Sequence, residues 1–563
     1  MARELPPCVD TVIIGNGPSA LILSYILHGH VPYYIGGHHD TILDAKLSAR
    51  PKLLDLTPDL YAHFLSSLRY STQSLPVNTL LDTLLRPNAD TEINPQSCVE
   101  WRYEPSTAVP HVVIGQTDQP GGQWAENPIS ASAEIATLSY AEQLSLPGYS
   151  YAEHLARTTG RTDHDFLRPS RAELAEYLAA YPSAVGISDS IYNGIKADGI
   201  RRTPTGFTIS SLNLHFKHLV LASGIFTLSL PPPALLSPLT TLSNPISPLL
   251  VIGSGFSAAD IIISTPPNRK IIHLFKWAPE TRPSPLKGCH HSAYPEYAGI
   301  YKQMKLAALP KAKAKKQGRA ARSPLLRRKS NPFFTQRDWG AVYEGLPNAE
   351  VVSVERKEGD DMASVRIRLP SGEEITRVVG GLAYVVGRRG TLGYVDAELR
   401  REILGPETDG EEHVISGSTL RAKAEVSLEV ARNVFVIGSL AGDSLIRHAV
   451  GGCVYVAGRI EGCIPSIWGC EEKTGMSVPP ASPMHDCQPS IQNSPRTGSP
   501  TTPSLQPEVA RLANGHADLH LDRRKRWTEV EVASARERVW GDSGWWGGGG
   551  TSGGLVAGWE VRE

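Results

Sequence analysis

The stretch VIIGNGPSA at residues 12–20 returns in near copy as VIGSGFSAA at residues 251–259. Each copy is a short apolar run, a glycine-x-glycine turn, and the start of a second apolar run. An unbroken apolar run bounded by glycines reads as a buried parallel strand, and the longer run after it reads as a helix. A chain that carries this pattern twice is constrained to an α/β plan: parallel strands with helices packed on them, built in two units. Its 563 residues leave room for both and for more.

The flanking sequence supports this. Asp10–Ile14 reads as the first strand and Pro18–Gly29 as its helix, with Pro18 in the first turn, where a missing N–H costs nothing, and Gly29 at the end. Val31–Ile35 is expected as the second strand of the same unit. Further on, His111–Gly115 and Leu219–Ala222 read as strands and Ile191–Ile209 as hairpin-like alternation. Ser170–Tyr181 reads as a helix opened by a capping box of Ser170 and Glu173. A proline-rich stretch, 231–248, reads as a linker. The second unit follows: strand Leu249–Ile252, turn Gly253–Gly255, helix Phe256–Ser264, strand Lys270–Phe275, and alternating strands in 350–386. Asn433–Ile437 is a late strand, and Asp443–Ile460 is expected as one long helix.

A diphosphate needs donors and little bulk around it. In a G-x-G-x-x-G/A turn the first glycine makes the bend, the second admits the pyrophosphate, and the third small residue lets helix and strand pack closely. The helix N-terminus adds free N–H groups and a partial positive charge. These roles fall to Gly15, Gly17 and Ala20 in the first copy, with Asn16, Pro18 and Ser19 between them. In the second they fall to Gly253, Gly255 and Ala258, with Ser254 and Ser257. Two dinucleotides are therefore expected, FAD on the first turn and a nicotinamide on the second. An acid about 20 residues beyond the turn commonly binds the ribose; the first copy has YIGGHHD there, with only Asp40 at its end. The second copy has Lys276 at the strand end and Arg282 nearby, cations suited to a 2′-phosphate, which favours NADPH over NADH. Near the C-terminal end of the pattern, Gly442 and Asp443 follow a strand. A carboxylate there can accept from a ribityl chain, and the helix N-terminus can face a reduced flavin ring.

Other chemistries leave no such trace. Lys and Arg number 56 against 57 Asp and Glu, so no global charge points to nucleic acid or an anionic membrane. Seven scattered cysteines without a C-x-x-C pair argue against a disulfide framework or a dithiol reductase. Cys289-His290-His291 lacks a second ligand pair at zinc spacing, so no metal site is expected. No leader and no membrane span is read, and the expected location is cytoplasmic. Residues 311–329 hold nine Lys or Arg, read as a solvated insertion or, alternatively, a nuclear signal or a patch for protein partners. From about 465 the chain turns to Ser/Pro/Thr-rich and Gly-rich sequence and is expected to be disordered, with the tail as a second candidate partner surface.

The stretches GNGPSALILSYILHG, DTLLRPNAD, PHVVIGQTDQPGGQW, VIGSGFSAAD, AYPEYAGIY and GSLAGDSLIRHAVGG together resemble the oxidative-stress-induced growth inhibitor family, over roughly residues 8–465. That family is itself similar to flavin-containing, N-hydroxylating and Baeyer–Villiger monooxygenases. The resemblance implies FAD plus NADPH, two Rossmann-like three-layer dinucleotide-binding domains of the FAD/NAD(P)-binding superfamily, and a stress-linked, growth-restraining role. It implies Gly121, Gly122 and Trp124, from a G-G-x-W pattern, beside the flavin, and Gly442 and Asp443 on the ribityl chain. It divides the chain into an FAD-binding part at 1–240, an NADPH-binding domain at 246–400 with the basic insertion, a returning FAD segment at 425–465, and the tail at 466–563. The implied activity is flavin peroxide chemistry with O₂ on a small molecule. An NADPH oxidase or reductase, and a non-catalytic regulatory protein on a flavoprotein scaffold, are the alternatives. The sequence departs from the resembled pattern in the tail after about 465, which has no counterpart there, and before the second turn. SPLTTLSNPISPLL, before the second turn, lacks the F-x-G-x-x-x-H histidine of flavin-containing monooxygenases. No catalytic acid–base pair is read from the sequence.

Overall fold

A computed structural model describes residues 4–55, 74–87, 96–127, 129, 131, 133–162, 167–291, 293–309, 337–356, 359–405 and 413–462. The basic run at 311–329 and the tail expected at 466–563 lie outside them. Both glycine turns form at the predicted places. Thr11–Ile14 is a strand with all four residues buried, and Pro18–Leu27 is the helix after it. Leu249–Ile252 and Phe256–Ser264 repeat the arrangement.

The first sheet has six strands in the order Glu429–Ala431, Val434–Val436, His218–Leu221, Thr11–Ile14, His111–Ile114, Ile191–Tyr192. Only the outermost pair, Glu429–Ala431 with Val434–Val436, is antiparallel. The second sheet runs Tyr343–Pro347, Ile271–Phe275, Leu249–Ile252, Gly381–Tyr384, parallel throughout. In each sheet the strand that feeds the glycine turn lies inside. The chain first builds to one side of it and later returns to the other. Such a switch point opens a crevice beyond the carboxyl ends of the two diverging strands.

The period of two is legible in the second sheet. Leu250, Ile252, Ile272 and Leu274 enter one apolar cluster, whereas Val251, Ile271 and Phe275 enter another on the opposite face. The first sheet and its helices share one large core that includes Val12, Leu21, Val113, Leu219 and Val454.

Several elements depart from the sequence reading. The strand expected at Val31–Ile35 forms as His30–Tyr34, but it pairs antiparallel with Val99–Tyr103 outside the parallel sheet. The neighbour of Thr11–Ile14 is His111–Ile114 instead. A central parallel strand needs apolar residues on both faces; all four residues of HVVI are buried, while Val99–Tyr103 is largely exposed. The whole 35–110 segment is thus inserted between the first helix and the strand it leads to. Ile191–Ile209 splits: Ile191–Tyr192 edges the parallel sheet, and Ile200–Thr203, Gly206–Ile209 and Leu214–Phe216 form an antiparallel sheet of three strands. The proline-rich 231–248 stretch is packed. Leu236 and Leu239 are buried in a core of the second sheet, and Arg269 donates to the carbonyls of Asn244 and Ser247 at 2.7 and 2.9 Å. The long helix expected from Asp443 starts only at Val450. Leu445 is extended ahead of a 3-10 turn, Ile446–His448, because side chains of this stretch are drawn into tertiary bonds. No helix among the described residues is long and apolar enough to cross a membrane.

Candidate functional site: two glycine turns at two switch points

Gly15 has φ +116°, and its N–H donates to the Ile114 carbonyl at 2.8 Å. A Cβ here would run into the backbone carbonyl of Ala222, just beyond His218–Leu221, so only glycine fits between the two diverging strands. Gly17 caps the helix, which has no side-chain cap and no acid in its first turn. A Cβ on Gly17 would meet nothing within 4 Å, so this side of the turn is open. Ala20 is fully buried, the close helix–strand packing that the third position requires. The Gly121-Gly122-Gln123-Trp124 segment is brought onto this turn. Gly121 N–H donates to the Asn16 carbonyl at 2.8 Å, and a Cβ on Gly122 would lie 3.2 Å from the Gly17 Cα. Ser19 packs against Gly438, beyond the strand Val434–Val436.

Asn16 is buried, and its side chain is used internally. Its amide nitrogen donates to Asn193 Oδ1 at 2.8 Å and to the Gln119 carbonyl at 3.2 Å, while its oxygen accepts from Thr117 at 2.8 Å. It therefore fixes the loop after His111–Ile114, and only its backbone is left to face a ligand. That loop, and not YIGGHHD, follows the strand that neighbours Thr11–Ile14. Asp118 is the acid it carries, and it is exposed. Asp40 instead caps the helix Thr41–Ala49, accepting from Ile42 and Leu43 N–H at 3.1 and 3.2 Å.

Asp443 is also committed within the protein. Its Oδ1 accepts from Arg421 at 2.8 Å; its Oδ2 accepts from Leu75 N–H at 2.9 Å and from the Asn78 amide at 2.5 Å. Asn78 Oδ1 in turn takes Gly452 N–H at 2.6 Å, so it covers part of the N-terminus of Val450–Ile460. The helix Pro76–Leu85 thus meets both groups expected to serve the ribityl and ring end of a flavin. The residue next to Asp443, Gly442, has φ +97° and lies against Arg421.

The second turn repeats the first. Gly253 has φ +151°, donates to the Leu274 carbonyl at 3.0 Å, and has no space for a Cβ because of the Val385 carbonyl beyond Gly381–Tyr384. Gly255 caps the helix without a side-chain cap, with only Pro285 near, at 3.8 Å. Ser254 holds the turn through its carbonyl, which accepts from Ser284 Oγ at 2.6 Å. Ala258 is buried. Beneath lies His273. Its Nε2 sits 2.7 Å from the Gly253 carbonyl and must donate, so Nδ1 accepts from the Tyr343 hydroxyl at 2.8 Å. Full burial drives its pKa down to about 4, so it stays neutral. Lys276 and Arg282 are exposed beyond the end of Ile271–Phe275. A cleft of about 300 Å³ opens at this switch point, lined by Ser257 and Ile261 from the helix and by Tyr384, Val385 and Arg388 at and after the end of the neighbouring strand.

Between the two turns lies a cluster the sequence did not announce. Arg171 donates to the Trp124 carbonyl at 3.1 Å, and Arg388 bonds the Asn127 side chain. Asp260, one turn along Phe256–Ser264 from Ser257, accepts from Tyr297 at 2.8 Å. Burial pushes the Asp260 carboxyl up to about 6 against the pull of the Tyr297 hydroxyl and of Arg171 and Arg388. Among the described residues no cluster of three or more His, Cys, Asp or Glu is placed to hold a metal ion.

No family model matches the chain. Among curated proteins, it is 30% identical over 342 residues to oxidative stress-induced growth inhibitor 1 of Mus musculus, covering 53% of this chain and 69% of that one. The chain belongs to the oxidative stress-induced growth inhibitor family. A Caenorhabditis elegans growth inhibitor homolog matches this family member at 25% identity over 497 residues, 80% of this chain and 94% of that one. Among solved structures, an L-lysine 6-monooxygenase from Pseudomonas syringae aligns with TM-score 0.41 at 14% identity, covering 81% of this chain and 100% of the enzyme. A thioredoxin reductase from T. acidophilum aligns with TM-score 0.40 at 11% identity, covering 81% and 98%.

Proposed function

We propose that this growth inhibitor family member is an FAD- and NADPH-dependent oxidoreductase of the monooxygenase type, acting on a small molecule in the cytoplasm. FAD lies on the first turn and NADPH on the second. The observation that supports this is the pairing of two uncapped, glycine-opened helix N-termini, each at the switch point of its own parallel sheet. The two binding units are 1–240 with 425–465, and 246–400.

The residues around the first turn fit a diphosphate: Gly17 leaves its face open, and the backbone N–H groups of Asn16, Gly17 and Ser19 supply the donors. Ser19 adds a hydroxyl, and Gly121-Gly122 bring a second backbone segment without bulk. Arg171 anchors the carbonyl of Trp124 and so fixes this wall. Around the second turn, Ser254–Ala258 would hold a second diphosphate, and Lys276 would meet a 2′-phosphate. Neutral His273 fixes the Gly253 carbonyl below the turn without adding charge. Bound together, the two cofactors supply hydride transfer and activation of O₂; the chain binds, orients and excludes water.

One observation favours a second reading. Asp443 and the N-terminus of Val450–Ile460 are already partnered by Leu75 and Asn78. A flavoprotein scaffold that restrains growth without catalysis accommodates this directly.

The test is the visible spectrum of the purified full chain, first alone, then with NADPH under anaerobic conditions, then in air. Flavin absorption bleached by NADPH and restored by air supports the oxidoreductase. A colourless protein that takes up no added FAD removes it and leaves the scaffold reading.

A further inference from the structure

Arg388 stands on the wall of the cleft beside the second turn. Its Nη1 donates to the Phe226 carbonyl at 3.3 Å and its Nη2 to the Asn127 side-chain oxygen, both neutral acceptors. Its Nε is buried and has no hydrogen-bond partner among the described residues, and the same is true of Arg171 Nε. Arg171 also bonds a neutral group, the Trp124 carbonyl. The carboxylate that acts on both guanidiniums is Asp260, through space, and its own ionisation is opposed by burial. Two partly buried cations thus share one carboxylate, which hydrogen-bonds Tyr297 and, among the described residues, forms no direct ion pair with either. A cation withdrawn from water without a bonded counter-ion is destabilising, and each buried N–H left unbonded adds to that. A latch tying residues 124–127 to the second unit accounts for the Nη bonds. It does not account for surplus positive charge beside an open cleft.

We propose that Arg388 holds an oxyanion in this cleft, a phosphate group of the bound molecule. A guanidinium presents forked donors that match phosphate. Ser257 reaches the same cleft from the first turn of its helix, so one phosphate meets Ser257 and Arg388 together. The glycine turn contacts a diphosphate only from the strand Leu249–Ile252; Arg388, beyond Gly381–Tyr384, grips it from the other side of the switch point. The source of the phosphate rests on the dinucleotide reading above. A free acidic molecule presents related chemistry.

Calorimetric titration of the full-length wild type, R388Q and R388K with NADPH, inorganic pyrophosphate and succinate tests this. The expected result is binding of NADPH and pyrophosphate weakened roughly 10- to 100-fold in R388Q and less in R388K, which keeps charge but loses the fork. Wild type that binds pyrophosphate or succinate but not NADPH, with the binding lost in R388Q, supports the oxyanion site and removes the dinucleotide as its source. NADPH affinity equal in wild type and R388Q overturns the proposal and leaves the dinucleotide reading standing. Failure of all three probes to bind wild type also overturns it. Should R388Q not fold, the rise in melting temperature that pyrophosphate gives the wild type decides: a rise undiminished in R388K, or absent from both, overturns the assignment.

Discussion

Replacing Asp260 by Asn removes a carboxyl that burial holds well above its usual range. Its pKa moves from 3.8 to about 6 on folding. The folded state therefore keeps the proton more tightly than the unfolded chain. The stability this confers is present below pH 3.8 and is lost as pH rises through about 6. The full loss is about 3 kcal/mol at 1.36 kcal/mol per unit. Integrating the linkage, about 1.4 kcal/mol of it falls between pH 5 and pH 7.5, a window that avoids acid denaturation. The amide introduced by Asp260→Asn cannot ionise, so the variant lacks this component while keeping an acceptor for the Tyr297 hydroxyl. Denaturant unfolding of wild type and Asp260→Asn at both pH values isolates it, because all other titrating groups cancel in the difference. The stability of the variant relative to wild type should rise by about 1–2 kcal/mol from pH 5 to pH 7.5. Parallel pH profiles for the two proteins would refute the reasoning. They would mean that Arg171 and Arg388 compensate the burial of the carboxylate fully and hold it ionised across this range.

Gly15→Ala and Gly17→Ala should separate folding from binding. The first must place a Cβ against the Ala222 carbonyl at positive φ and should cost about 2–4 kcal/mol of stability. The second meets no neighbour and should change the unfolding free energy by less than about 1 kcal/mol while lowering flavin content, read from the absorbance ratio of flavin to protein. Asp443→Ala strips Arg421 and Asn78 of their acceptor and should destabilise the chain by about 3–5 kcal/mol in denaturant titration; a near-neutral result would return that carboxylate to a ligand role. Lys276→Ala should weaken NADPH more than NADH, measured as the ratio of their dissociation constants, by about tenfold.

Both turns were legible because their chemistry is local. Strand, glycines and helix follow one another within a dozen residues, and each apolar run has one sensible state. What lay between them was not. VPYY and HVVI are both short apolar runs, and only burial on both faces distinguishes the strand that enters the sheet. That is a property of the neighbours, not of the run. The acid beyond the turn was therefore looked for after Val31–Ile35, where only the late Asp40 stands, and not after His111–Ile114, the strand that neighbours Thr11–Ile14. Asp443 looked like a ligand because its sequence context fits one. Its partners within the protein, Leu75, Asn78 and Arg421, are far away in sequence or inconspicuous near it. Asp260 and Arg388 gave no signal at all, since a charged residue on a helix or after a strand is ordinary until the fold brings it beside others. The proline-rich stretch misled through composition: prolines stiffen a linker, but Leu236 and Leu239 among them supply what a core can use.

The insertion of residues 35–110 has a consequence for how the protein is made. Thr11 pairs with His111 and with His218, and the turn it feeds also meets Gly438, so the first site is closed by partners synthesised long after it. Leu249 pairs with Ile271, a single helix away along the chain. Local contacts form early and distant ones late, both in refolding and on the ribosome. The second site therefore gains one flank early and only Gly381–Arg388 late, whereas the first waits for both flanks, with an apolar strand and helix exposed, until the last strands arrive. Chaperone dependence and sensitivity to premature termination should concentrate on that waiting half.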